Sequence, residues 1–322
     1  MKLPRREFLY LAAGAGLAAS ARSAAALDFP TRPVHIITPY PPGAGPDVVA
    51  RLTGQWLGDR LGQQFVVDNR PGASGNIGSE RAAKAPPDGY TLLIAVSTNA
   101  INQTLYTNLN FDFRNDFVSV AGIGRIPFMI AANANFTAKT VPELIAYAKA
   151  NPGKTDFATN GVGTGSHAAA ELFMMMTGIK LTHVPYKGNY LTDLMGGQVP
   201  LVVAPMSAVA EYVKDGRVRG LGVTTAHRAA ALPDVSAIAE TVPGYVAEGW
   251  YGLVAPKGTP ANVIATLEAA TRASVADATL RSRLENIGIE PDAMTSAEFG
   301  NFIANEIDKW AKVIKYADIR VN

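Results

Sequence analysis

The chain has 322 residues, 48% hydrophobic and 17% charged, with 29 basic and 27 acidic residues and a net charge of +2. This composition excludes a disordered chain, and the length predicts about two domains. There is no cysteine, so disulfide and thiolate chemistry are excluded.

Lys2, Arg5 and Arg6 precede a short apolar stretch, Phe8 to Ala19, and Ala24-Ala25-Ala26 supplies small residues for cleavage. Residues 1–26 therefore read as an export signal, too short to anchor a protein in a bilayer. Arg5-Arg6-Glu7-Phe8-Leu9 is similar to a twin-arginine signal, the alternative being a Sec signal with adjacent arginines. Four of the 29 basic and one of the 27 acidic residues lie in this segment, which leaves 25 and 26. The apparent basicity thus belongs to the signal. No basic stripe suits nucleic acid, and no second apolar run is long enough to span a membrane. The mature chain is expected in the periplasm, without membrane insertion.

Val34–Thr38 reads as a strand and Val48–Leu61 as a helix with Val48, Leu52 and Trp56 on one face. Between them runs Pro39-Tyr40-Pro41-Pro42-Gly43-Ala44-Gly45-Pro46-Asp47. A Gly/Pro loop entering a helix leaves backbone N–H groups unpaired where the macrodipole favours negative charge, which makes an anion site. The plain alternative is a turn with Asp47 as N-cap and glycines that only bend the chain. Phe65–Asp68 is a strand, Gly78–Ala85 a short helix and Thr91–Val96 a strand. Strands alternating with helices predict an α/β fold with a mostly parallel sheet. Ligands in such sheets sit beyond strand C-terminal ends. Tyr40–Asp47 and the Ser97-Thr98-Asn99 loop both lie there.

Asn108–Asn115 is polar and irregular, anchored by Phe111, Phe113 and Phe117. Val118–Ala132 is apolar and extended and is expected to cross between two lobes, with Gly220–Thr224 as the return. This predicts a first lobe of residues 27–124 plus 225–322 and a second of 125–224. A helix starting at Pro142 runs to about Ala150. Asp156–Thr159 is a strand that enters Asn160-Gly161-Val162-Gly163-Thr164-Gly165-Ser166-His167, followed by a helix over Ala168–Met176. The strand, glycine loop and helix start recur here, giving a second anion cradle in which Thr164 and Ser166 can cap the helix or donate hydroxyls. Strands follow at Leu181–Val184, Gln198–Ala204 and Trp250–Ala255. The C-terminal third is helical, with Ile303, Ile307, Trp310 and Ile314 on one face.

Other chemistry is not supported. Gly161, Gly163 and Gly165 give G-x-G-x-G rather than a dinucleotide fingerprint, and no P-loop occurs. Ser166 is not in a nucleophile elbow, and neighbouring side chains at a helix start point apart. His35, His167, His183 and His227 lack metal-ligand spacing and read as structural, so neither a metal nor a cofactor is expected. Two N–H-donating loops without a nucleophile suit reversible anion capture rather than turnover.

The loop at 38–51 is joined by Asp68-Asn69-Arg70-Pro71-Gly72-Ala73-Ser74-Gly75, Pro87-Asp88-Gly89-Tyr90, Thr159–His167, His183-Val184-Pro185-Tyr186-Lys187-Gly188, Asp193–Val199 and Trp250–Pro256. Together these resemble the Bug (Bordetella uptake gene) family of extracytoplasmic solute receptors of tripartite tricarboxylate transporters. The resemblance covers the mature chain. It implies a type II periplasmic-binding-protein fold, with two α/β lobes, a hinge and a cleft. It also implies a small carboxylate ligand, delivered to the large and small membrane subunits of a permease. The alternative is an exported carboxylate sensor presenting its ligand to a signalling partner. Neither is an enzyme. The ligand-binding set expected from residues and resemblance is Tyr40, Gly43, Ala44, Gly45, Asp47, Ser97, Asn99, Asn160, Gly163, Thr164, Gly165, Ser166 and Tyr186. The resemblance implies that Asp47 can meet an ammonium group in amino-acid binders. Ala44 stands where the family usually has glycine, and Pro46 removes an N–H donor.

Overall fold

The computed structural model describes residues 29–321, and the expected export signal lies outside them. The chain from Arg32 onward forms one unit. β1 (Val34–Thr38) ends before Pro39, Pro41 and Pro42, and α1 (Gly45–Leu61) carries Pro46 in its first turn, where a missing N–H breaks no helical bond. β2 (Phe65–Asn69), α2 (Asn76–Ala83), β3 (Thr91–Val96) and α3 (Ser97–Leu105) follow. Next come β4 (Phe117–Asn133), α4 (Val141–Ala150), β5 (Asp156–Thr159), α5 (Gly165–Thr177), β6 (Thr182–Pro185), α6 (Tyr190–Gly196) and β7 (Leu201–Pro205). α7 (Met206–Lys214), β8 (Val218–Val223), β9 (Glu248–Pro256), α8 (Ala261–Ala276), α9 (Ala278–Asn286), β10 (Glu290–Pro291) and α10 (Ser296–Ala317) complete the chain.

β4 ties two sets of strands together. Its 17 residues span about 55 Å at a strand rise of roughly 3.3 Å per residue. From Phe117 to Pro127 it pairs antiparallel with β9, which lies beside β3, β1 and β2. From Phe128 onward its partners are β7 and β8, with β5 and β6 beyond β7. The change of partner falls at Pro127, which lacks an N–H to continue a ladder. Thr224 stitches this point: its hydroxyl accepts from Phe128 N at 2.9 Å, its N–H donates to Phe128 O at 3.0 Å, and its carbonyl accepts from Ala247 N.

At the expected return, Gly220–Thr224, β8 pairs with the second half of β4. Ala229, Leu232, Val235 and Ala237 pack with Val202, Val209 and Val223, and the chain goes back to the first sheet only at β9. The face of α1 differs from the expected one. Val49, Thr53, Gly54 and Leu57 are buried, while Val48, Leu52 and Trp56 are half-buried. Gly54 explains the offset, because a Cβ there would lie 3.3 Å from Ile36 Cδ1, so the helix rests on the sheet through its small residues. The α10 stripe is as expected: Ile303, Ile307, Trp310 and Ile314 are all buried.

Candidate functional site

Three helices begin around one cleft of about 230 Å³. Tyr40 and Pro46 come from the entry to α1, Ser97 and Thr98 from the start of α3, and Thr164, Gly165 and Ser166 from the start of α5. Asn160 borders it from the second glycine loop. Val96, Ile126, Phe128, Trp250 and Tyr251 supply an apolar wall. The first N–H groups of each helix have no intrahelical partner, and the three dipoles present their positive ends here. None of the residues lining the cleft is charged. Arg125, next to Ile126 on β4, is engaged elsewhere. Its Nε donates to Asp292 at 2.7 Å, Glu248 lies 3.5 Å from its Nη1, and its guanidinium sits over Phe302. The cleft thus presents helix dipoles and hydroxyls and no side-chain cation.

The Ser97-Thr98-Asn99 loop of the sequence reading is the first turn of α3. Asn99 builds that turn and is not among the residues lining the cleft: its Oδ1 accepts from Val96 N at 2.8 Å and its Nδ2 donates to Ser79 Oγ at 2.8 Å. Thr98 Oγ1 meets Tyr40 Oη at 2.9 Å, which joins two walls of the cleft. Burial holds the Tyr40 phenol above its ordinary pKa, and burial followed by Tyr40 does the same for Tyr251. Both remain neutral donors in the physiological range.

Asp47 is bound within the first loop and to the end of β2. Its carboxylate is buried and accepts from Gly43 N (2.8 Å), Arg51 Nε (3.0 Å) and Asn69 Nδ2 (2.8 Å). Burial alone would raise its pKa, but Arg51, the Gly43 N–H and Asn69 hold it below the ordinary value. Arg51 Nη2 also lies 2.9 Å from its Oδ1, and Asp47 is not among the residues lining the cleft. The bond to Asp47 engages Gly43 N, and Ala44 N donates to Pro41 O, so these two donors shape the loop. Gly45 is a close-approach position: a Cβ there would sit 2.5 Å from Tyr251 Oη.

In the second loop, Thr164 is the N-cap of α5 and accepts from His167 N. Thr164 Oγ1 donates to Gly161 O at 2.8 Å, so in its 3.1 Å contact with Ser166 Oγ the serine is the donor. Gly163 seats the loop rather than lining the cleft. Its φ is +74°, its N–H donates to His167 Nδ1, and a Cβ would lie 2.5 Å from Leu105 Cδ2 of α3. Tyr186 is not among the residues lining the cleft and donates to Asp193 Oδ2 at 2.7 Å.

Thr98, Phe128, Trp250 and Tyr251 belong to the cleft but not to the expected set. Trp250-Tyr251 stands within a matching motif. Only the β3–β9 register, which puts Tyr251 beside Val96, brings it to this place. Trp250 is fixed from behind, its Nε1 donating to the buried Glu306 of α10, which also accepts from Trp310 and pairs with Lys309.

An α/β protein with helix starts gathered on a cleft between two sheets has the architecture of the two-lobed periplasmic binding proteins. Residues 49–319 match the family described as tripartite tricarboxylate transporter family receptor, and the chain belongs to it. It is 35% identical to the Bordetella pertussis protein BugT over 292 residues, 89% of this chain and 90% of BugT. An adipate complex of an R. palustris protein superposes with a TM-score of 0.76 at 35% identity, covering 91% of this chain and 99% of that one. MatC from Rhodopseudomonas palustris with bound malate gives a TM-score of 0.73 at 28% identity, covering 89% and 100%. No helix among the described residues is long and apolar enough to cross a membrane.

Proposed function

We propose that this protein is a periplasmic solute receptor that captures a small carboxylate and delivers it to the large and small membrane subunits of a tripartite tricarboxylate transporter. The carrying observation is the meeting of three helix N-termini and the Tyr40, Thr98, Thr164 and Ser166 hydroxyls on an uncharged cleft. Charge-assisted hydrogen bonds to a carboxylate gain about 1.5–3 kcal/mol each. The similar proteins bound to adipate and to malate support the ligand class. The residues we assign to the ligand are Tyr40, Ser97, Thr98, Asn160, Thr164, Gly165 and Ser166, with Tyr251 beside Gly45. We read the sheet of β1, β2, β3 and β9 and the sheet of β5 to β8 as two lobes that close on the ligand. The lobes join at Pro127–Phe128 and at Thr224–Glu248. Ligand favours the closed form through contacts available only there.

Mass spectrometry of molecules released from the purified protein, with calorimetry against mono-, di- and tricarboxylates, tests this reading. A bound carboxylate with affinity in the micromolar range or tighter is expected. Absence of binding across the panel, or turnover of a bound carboxylate, would overturn it. Removal of about the first 26 residues in periplasmic extracts is the accompanying expectation.

A further inference from the structure

Beneath the second glycine loop lies a stack of two imidazoles. The His167 and His183 rings are 3.9 Å apart and inclined by 15°, and Phe157 lies against His183 at 5.0 Å. Each ring reaches the loop. His167 Nδ1 accepts the Gly163 N–H at 3.1 Å. His183 Nε2 lies 2.7 Å from Thr159 Oγ1, which in turn meets Gly161 N and Gly161 O at 3.2 Å. Accepting at Nδ1 requires a lone pair there, so the proton of neutral His167 is on Nε2, 3.3 Å from Glu171 Oε1.

Packing alone does not call for this arrangement. A buried aromatic could fill the space of His167, but it could not accept from Gly163 N. That N–H sits at a left-handed turn pressed onto Leu105, where an unmatched donor is costly. The turn sets the direction of Thr164, and Thr164 in turn caps α5 through His167 N. His167 therefore meets the loop at both ends, with its ring at Gly163 and its own backbone at Thr164.

We propose that His167, as the Nε2–H tautomer, is a positioning residue for the anion site. It fixes the Gly161–Thr164 turn from below without touching the ligand. This rests on the carboxylate-receptor reading above.

Leucine and asparagine at position 167 have nearly the same shape, but only asparagine offers an acceptor, Oδ1, where His167 offers Nδ1; its Nδ2 donors face no lone pair on Gly163 N. Amide hydrogen exchange of Gly163 in the unliganded protein should be at least about tenfold faster in His167→Leu and within about threefold of wild type in His167→Asn. Adipate affinity should follow the same order, falling by about tenfold or more only in the leucine variant. Long-range nitrogen–proton NMR of the wild-type protein should show His167 as the neutral Nε2–H tautomer, a readout that needs no variant to fold. Equal exchange in the two variants, or an Nδ1–H tautomer, would overturn the proposal, as would a leucine variant with a loosened Gly163 amide and unchanged adipate binding. Wild-type protein that binds no carboxylate, yet shows the expected tautomer and exchange order, would sink the receptor reading and leave the loop-positioning role standing.

Discussion

Asn69 donates through Nδ2 to Asp47 Oδ1 at 2.8 Å, and the same amide reaches Tyr40 O at 3.0 Å. The end of β2 is thereby bolted to the loop that enters α1. Asp47→Asn leaves Gly43 N and Arg51 facing an amide in place of a carboxylate. It should cost about 1–3 kcal/mol in urea denaturation, as expected for a disrupted buried network. Affinity for carboxylates with and without an ammonium group should fall by similar factors. Selective loss of the ammonium-bearing ligands would place Asp47 in the ligand shell.

Thr164 and Ser166 share one hydrogen bond and both border the cleft. Replacing both with alanine should weaken carboxylate binding by at least about tenfold, or 1.4 kcal/mol. The unliganded fold should lose no more than roughly 1 kcal/mol, the usual cost of a lost cap. Calorimetry with parallel thermal melts separates the two effects, and unchanged affinity would remove this loop from the site.

Gly163→Ala places a side chain at a positive φ and drives it against Leu105. A loss of about 1–3 kcal/mol is expected from strain of this kind. Adding Leu105→Ala should recover the part due to collision and leave the part due to φ. A double variant no better than the sum of the two singles would show that the two residues do not press on each other.

Two half-buried groups pull the pH dependence of stability in opposite directions. Burial raises the Glu248 carboxyl from 4.5 to about 7, against the opposing pull of Arg125. Between those values the folded chain keeps a proton that the unfolded chain has released, so stability falls as pH rises. Burial, then His167, lowers His183 from 6.5 to about 4. There the unfolded chain binds the extra proton, so stability falls as pH drops from 6.5 towards 4. In melts over a pH series, Glu248→Gln should gain on wild type as pH rises from about 5 to about 8. His183→Gln should gain on wild type as pH falls from about 6.5 to about 4. A pH-independent offset in either variant would show that the group does not titrate as described.

The two glycine loops are legible in the sequence because strand, turn and helix start each leave a local signature. So is the apolar face of α10, since a period of 3.6 needs no knowledge of the partner. Ser97-Thr98-Asn99 reads as a loop because these residues suit turns and helix starts alike, and the choice falls to the partner that Asn99 finds in Ser79. The latch on Asp47 depends on β2 lying beside β1, which brings Asn69 next to Thr38. Tyr251 enters the cleft through the antiparallel pairing of β9 with β3, a contact between segments more than 150 residues apart that no local pattern encodes. What the sequence hides is long-range register rather than chemistry.

β4 belongs to both sheets, and this limits how the molecule can come apart. Its first part leans on β9 and its second on β7 and β8. Excising either half would strip one length of that strand of its neighbours and bare a long apolar edge, an invitation to aggregation. The halves are therefore not interchangeable modules that could be expressed or recombined alone. The chain is indivisible in the sense that a bridge with one continuous girder is: it cannot be dismantled at the pier.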